Sequence, residues 1–137
     1  MSKGKILVID DEDIVLISCQ RALTSEGYNV KMAKSGIDGL KTIENESFNL
    51  ALVDIKMPDM DGMEILKHIK SKWPDTEVII ITGYSTPATA ISSIKLGAYD
   101  YIEKPFTPDS LLLAVKKALK SLNSSINDCL SIQQGSA

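Results

Sequence analysis

Short, nearly all-apolar runs alternate along this chain with segments whose apolar residues recur at helical spacing. The runs predict strands over Lys5–Ile9, Asn29–Ala33, Leu50–Val53, Val78–Ile81 and Tyr99–Ile102. The first, third and fourth are apolar enough throughout to be central strands covered on both faces. Between and after them, five sets keep a helical period: Val15, Cys19, Ala22 and Leu23; Gly39, Leu40 and Ile43; Ile65, Leu66 and Ile69; Ala90, Ile94 and Gly97; and Leu111, Leu112, Val115, Ala118, Leu119 and Leu122. Local punctuation agrees. Gly27 follows the first helix, Ser35 stands where it can cap the second, and Thr86-Pro87 and Thr107-Pro108 put a capping hydroxyl before a first-turn proline.

Strand and helix alternating with short connections imply right-handed crossovers and a parallel sheet with helices on both faces. The expected architecture is α/β: a doubly wound, five-stranded sheet with five helices, of flavodoxin-like size. From Asn123 the pattern dissolves into Asn, Ser and Gln, so residues 1–122 are expected to form the domain and 123–137 a flexible polar tail or linker remnant.

Composition narrows the function. A chain of 137 residues matches one ordinary domain that needs no disulfide or structural metal to fold. The net charge of -3 argues against nucleic-acid binding by this domain, because gripping a phosphate backbone requires a clustered basic excess. Cys19 and Cys129 lack metal-type or redox-motif spacing and read as reduced thiols. No apolar stretch approaches membrane-span length, and MSKGK leads directly into a strand-length run; a soluble, cytoplasmic protein with no membrane partner is expected.

The candidate chemistry lies just past the apolar runs: Asp10 and Asp11 after the first, Asp54 after the third, Thr82 after the fourth and Lys104 after the fifth. In a parallel sheet these ends share one edge, where open α/β sheets place their sites. Like charges about 4 Å apart cost on the order of 1 to 4 kcal/mol, a repulsion that a hard cation such as Mg²⁺ relieves with oxygen ligands. A carboxylate beside such a cation can attack phosphorus, with Thr82 donating a hydrogen bond and Lys104 a charge to the phosphoryl oxygens.

Four segments, ILVIDDE, LVDIKMPDMDG, the strand ending Thr82-Gly83, and GAYDYIEKPF, resemble the receiver domain of two-component response regulators. The resemblance runs from about Lys5 to Leu122 and is closest to receivers of the nitrogen-regulatory activator class. It implies strand order 2-1-3-4-5 and a switch phosphorylated on Asp54 by a sensor histidine kinase's phosphohistidine, in a Mg²⁺-dependent reaction that the receiver itself assists. It further implies that Asp11, Asp54 and the Lys56 backbone carbonyl bind Mg²⁺ directly and Asp10 through water, with Mn²⁺ or Ca²⁺ able to substitute. Thr82 and Lys104 would hold the phosphoryl group, Lys104-Pro105 would be a cis peptide, and Tyr101 would be the aromatic switch that follows Thr82. Lys56 and Tyr84 would tune autodephosphorylation, by their bulk where water attacks. Output would pass through the face formed by the fourth helix, fifth strand and fifth helix, where Ile91, Tyr99 and Tyr101 stand, to an output domain, an effector or a second copy. The chain would be the receiver of a transcription factor, a stand-alone regulator or the receiver of a hybrid kinase, in that order.

Two other functions draw on similar residues. A Mg²⁺-dependent phosphatase of the haloacid dehalogenase type also uses a strand-end aspartate nucleophile, but its second aspartate falls here on Lys56, which is poorly suited to act as the general acid. A flavin-binding module lacks its phosphate loop, and Asp10-Asp11-Glu12 would repel a flavin phosphate. Asp59 and Asp61 read as turn caps, His68 as a surface residue, and Lys116, Lys117 and Lys120 as the polar face of the last helix.

Overall fold

A computed structural model describes residues 3–120. The expected tail, Leu122 and Cys129 lie outside the described residues. The elements are β1 (Lys5–Ile9), α1 (Asp13–Ser25), β2 (Asn29–Ala33), α2 (Gly36–Asn45), β3 (Leu50–Asp54), α3 (Gly62–Lys72), β4 (Glu77–Thr82), α4 (Pro87–Lys95) and β5 (Asp100–Glu103). Residues 108–120 are also helical and are termed α5. All strand pairs are parallel, in the order β2-β1-β3-β4-β5.

Period-two alternation of the central strands divides the core into two layers. Ile6 and Val8 of β1, Leu50 and Leu52 of β3, and Ile79 and Ile81 of β4 pack against Leu16, Cys19 and Leu23 of α1 and against Leu111 and Val115 of α5. Leu7 and Ile9, Ala51 and Val53, and Val78 and Ile80 face the other way, onto Ile43 of α2 and Ile65, Leu66 and Ile69 of α3. Because each strand feeds both layers, its sequence is apolar without a break. Burying such side chains stabilises the fold by about 1.5–3 kcal/mol each relative to exposure.

The helix starts follow their sequence signals. Ser35 accepts from the Asp38 amide, Thr86 and Thr89 form a reciprocal capping box before α4, and Thr107 accepts from the Ser110 amide. Gly27 takes φ +93° after α1. The fourth helix departs from expectation: Gly97 lies beyond it, Ile94 is exposed, and its one buried residue is Ser93, whose hydroxyl returns to the Ala90 carbonyl. Tertiary contact thus centres on a serine flanked by the half-buried Ala90 and Leu96, a position that apolar periodicity does not register.

At the strand ends, Asp54 and Thr82 are the last residues of β3 and β4, one residue further than the apolar runs reach. The Asp10 amide donates to the Ala33 carbonyl at 3.1 Å and the Lys104 amide to that of Thr82 at 2.8 Å, extending the ladder one step past β1 and β5. Gly62 presses on the same edge: a Cβ there would lie 2.1 Å from the Asp54 carbonyl oxygen and 2.6 Å from the Ile55 Cα. We expect Gly62→Ala to cost about 2 kcal/mol or more in urea denaturation. Gly83→Ala, with nothing within 4 Å of its Cβ, should stay within about 0.5 kcal/mol of the parent.

Candidate functional site

The order β2-β1-β3 reverses the direction of winding at β1, and the site opens beyond the carboxyl ends of β1 and β3 at that reversal. Asp10 is fully buried there and Asp54 nearly so, whereas Asp11 and Glu12 are exposed. A turn fixes Asp10: its Oδ1 accepts from the Glu12 amide at 2.9 Å. Lys104 reaches in from the end of β5, placing Nζ 2.8 Å from Asp10 Oδ2, 3.0 Å from Glu12 Oε1 and 3.4 Å from Asp54 Oδ2. The contact with Asp10 Oδ2 is an ion pair outside hydrogen-bond geometry, so this buried oxygen has no hydrogen-bond partner.

The electrostatics follow from crowding. Burial pushes the Asp54 carboxyl from 3.8 up to about 6; the Asp10 charge adds to the rise, and Lys104 and the Lys56 amide oppose it. Asp10 is likewise raised, chiefly by burial. Burial opposes the charge on Lys104, yet the close carboxylates of Asp10 and Glu12 and the nearby Asp54 charge hold its ammonium above the ordinary value. One cation is shared among three carboxylates, and the site remains short of positive charge.

Asp10, Asp11, Glu12 and Asp54 present oxygen atoms within 4.8 Å of one another. An all-oxygen set of this charge, with one lysine ammonium shared among three of its carboxylates, fits a divalent hard cation. Asp54, Thr82 and Lys104 line one cleft with Asp11, Lys56 and Tyr84. The fully buried Thr82 accepts the Tyr84 amide on Oγ1 at 2.9 Å. Over the cleft, the Lys56 ammonium sits 3.4 Å from the centroid of the Tyr84 ring. Tyr101 lies outside the cleft, its hydroxyl 3.3 Å from both the Tyr84 carbonyl and the Thr89 hydroxyl. The Lys104-Pro105 peptide bond is cis.

Glu12 was missed as a site residue, having counted only as a charge that repels a flavin. It stands at the N-cap of α1 but makes no side-chain cap there, reaching Lys104 instead; its place directly after Asp10-Asp11 was the available signal. Asp61 caps α3 by accepting from the Met63 amide, whereas Asp59 accepts from the amides of Gly36 and Ile37 in a different helix. His68 is half-buried, its ring tilted against Trp73 at 5.9 Å. Ile91 is 56% and Tyr99 36% exposed, and Tyr101 is half-buried.

A doubly wound parallel sheet carrying an acidic, cation-capable cluster beside a strand-end lysine defines the class of protein. Residues 6–116 match the family model "Response regulator receiver domain", and the chain belongs to that family. It is 39% identical over 120 residues to a putative NtrX-like response regulator of Rickettsia typhi, covering 86% of this chain and 25% of that protein. It is 40% identical over 119 residues to the transcriptional regulatory protein ZraR of Escherichia coli, covering 87% and 27%. Among solved structures, a CheY-like receiver domain protein from Methanospirillum hungatei superposes with TM-score 0.87 at 40% identity, over 90% of this chain and 99% of that one. NtrX from Brucella abortus gives 0.88 at 33%, over 94% and 29%. The chain thus spans about a quarter of the length of the curated relatives it matches. Family membership carries a phosphorylation-based signalling role and the status of a phosphoacceptor rather than a turnover enzyme. Among the described residues, no helix is long and apolar enough to cross a membrane.

The raised Asp54 carboxyl has a measurable consequence in cation-free buffer. Between its ordinary value of 3.8 and about 6, the folded chain binds a proton that the unfolded chain has released. Stability therefore falls as pH rises through that window and stays lowered above it. Asp54→Asn cannot ionise; in EDTA at about pH 7.5 it should be more stable than the parent by on the order of 2–3 kcal/mol, a gap that closes near pH 4. Urea titrations across pH measure this, and equal stability at the higher pH would refute it.

Proposed function

We propose that this chain is a phosphorylation-activated switch in which Asp54 accepts a phosphoryl group from a sensor histidine kinase. The observation that carries the reading is the nearly buried Asp54 carboxylate, with Lys104 Nζ 3.4 Å away and the acidic cluster beside it. An Asp54 oxygen attacks phosphorus, the phosphorus–nitrogen bond of the donor phosphohistidine breaks, and its electron pair returns to the imidazole. Asp11, Asp54 and the Lys56 carbonyl would hold Mg²⁺, with Asp10 linked through water; Mn²⁺ or Ca²⁺ could take its place. When bound, the cation supplies charge neutralisation for the phosphoryl oxygens.

Lys104 exchanges part of its contact with the carboxylates for a phosphoryl oxygen. The Thr82 oxygen already accepts from the Tyr84 amide, which leaves its own proton free to donate to a second phosphoryl oxygen. The phosphoryl group carries roughly 1.5–2 negative charges and three acceptor oxygens. Since the Asp54 carboxylate charge is lost in the new bond, the net gain is about one charge, moved outward to one point. Any movement of Thr82 pulls on the Tyr84 backbone, to which Tyr101 is also bonded. The phosphate then biases a two-state element comprising Thr82, the β4–α4 connection and Tyr101. The exposed Ile91 and Tyr99 suit the α4-β5-α5 face to an output domain, an effector or a second copy. Likeness to NtrX-like and ZraR regulators supports transcriptional output from the cytoplasm, and the net charge of -3 favours a domain that does not itself bind nucleic acid. Residues 1–122 would form the receiver and 123–137 its tail or linker.

With Mg²⁺ and a small phosphodonor, the parent should retain about one acid-labile phosphate per chain, and Asp54→Asn none. Release of many equivalents of inorganic phosphate would instead indicate a phosphatase. Replacing the stacked pair, Lys56→Asn with Tyr84→Ser, should speed phosphate loss by about tenfold, the equivalent of about 1.4 kcal/mol of barrier. Decay of the labelled phosphoprotein measures the change, and an unaltered lifetime would remove these two residues from the reading.

A further inference from the structure

The first amides of α2 are accounted for one by one. Ser35 Oγ takes the Asp38 amide at 3.1 Å, and the Gly39 amide closes the first helical turn onto the Ser35 carbonyl at 3.0 Å. The two remaining amides, Gly36 and Ile37, donate to Oδ1 and Oδ2 of Asp59 at 3.1 and 3.0 Å. Asp59 is distant in sequence and sits in the loop, residues 55–61, that follows the Asp54 strand. These are charge-assisted bonds at a helix N-terminus, and they hold the Asp59 carboxyl below its ordinary value, the Ile37 amide first among the causes.

This attachment joins the two sides of the acidic cluster. Lys56 and Asp61 form an antiparallel bridge, and the Gly62 amide bonds the Ile55 carbonyl at 2.8 Å, so the loop is closed on itself at its base. Met60 lies against Gly36, where a Cβ would come within 2.8 Å of the Met60 Cβ. On the other side, α2 follows β2, whose Ala33 carbonyl receives the Asp10 amide. Ile55 and Met57 anchor the base of the loop in the core, while an open cleft lies between Asp11 and the loop's outer side.

We propose that Asp59 is a positioning residue for the cation site: its paired bonds to α2 hold the 55–61 loop, and the Lys56 carbonyl within it, in register with Asp10 and Asp11. The inference rests on the cation assignment made under Proposed function. It treats Asp59 as more than a helix cap, because Ser35 caps α2 without touching the loop.

Three variants of the full chain separate the two roles: Asp59→Ala, Asp59→Asn, which keeps one acceptor oxygen, and Ser35→Ala, which weakens α2 alone. Mg²⁺ affinity is read by calorimetric titration without phosphodonor, alongside urea stability in EDTA and exchange of the Gly36 and Ile37 amides. Asp59→Ala should weaken Mg²⁺ binding by about tenfold, with Asp59→Asn intermediate. Ser35→Ala should lose stability while keeping parental affinity. Parental affinity in Asp59→Ala, or equal loss in Ser35→Ala, would overturn the positioning role alone. An unaltered chain that shows no saturable Mg²⁺ binding would overturn the cation assignment and the positioning role together. Should Asp59→Ala not fold, the near-isosteric Asp59→Asn decides by the same comparison.

Discussion

Carboxylates gathered at one edge of a sheet, with a single ammonium among them, are the constraint on which the rest of this molecule turns. Asp10 and Asp54 lie out of water at the ends of adjacent strands, and Lys104 comes within 3.4 Å of both. A charge withdrawn from water costs several kcal/mol unless it is paired, and here the pairing is incomplete. The raised carboxyls of Asp10 and Asp54 register the deficit. The site is therefore held out of balance by the fold, which gives it a reason to accept a cation and a sensitivity to any further charge on Asp54.

Holding that imbalance takes a rigid frame. The central strands are fixed by two apolar layers and by ladder bonds that continue to Asp10 and Lys104. Gly62 lets the start of α3 press against the Asp54 backbone, so the carboxylate is backed by main chain rather than by a movable side chain. By contrast, α4 buries only Ser93, and Tyr101 joins it to the β4–α4 connection through two hydrogen bonds of 3.3 Å. Rigidity is concentrated under the carboxylates and looseness at the neighbouring face, as expected where a local charge change is read out by an element with low local stability.

Much of this was legible in sequence because it depends on local rules. Unbroken apolar runs identified the central strands, hydroxyl–proline pairs marked the starts of α4 and α5, and ILVIDDE, LVDIKMPDMDG and GAYDYIEKPF marked the family. Three features resisted. Glu12 counted only as a charge that repels a flavin phosphate, yet it pairs with Lys104, 92 residues away. Asp59 looked like the cap of its own turn, and its carboxylate also takes the first two amides of α2. The fourth helix was assigned an apolar face of Ala90, Ile94 and Gly97, but the residue it buries is Ser93. Each miss concerns a side chain whose partner is set by how elements pack, which apolar spacing does not encode.

The sequence alone determined the α/β alternation, the covered parallel sheet and the set of strand-end residues, because hydrophobic period and turn chemistry act over a few residues at a time. Only the tertiary structure decided which carboxylates share Lys104, which of them lose water, that Lys56 stacks on Tyr84, and that Asp59 ties one loop to another helix. Those are distances and desolvation, and both arise when strands distant in the chain are brought side by side.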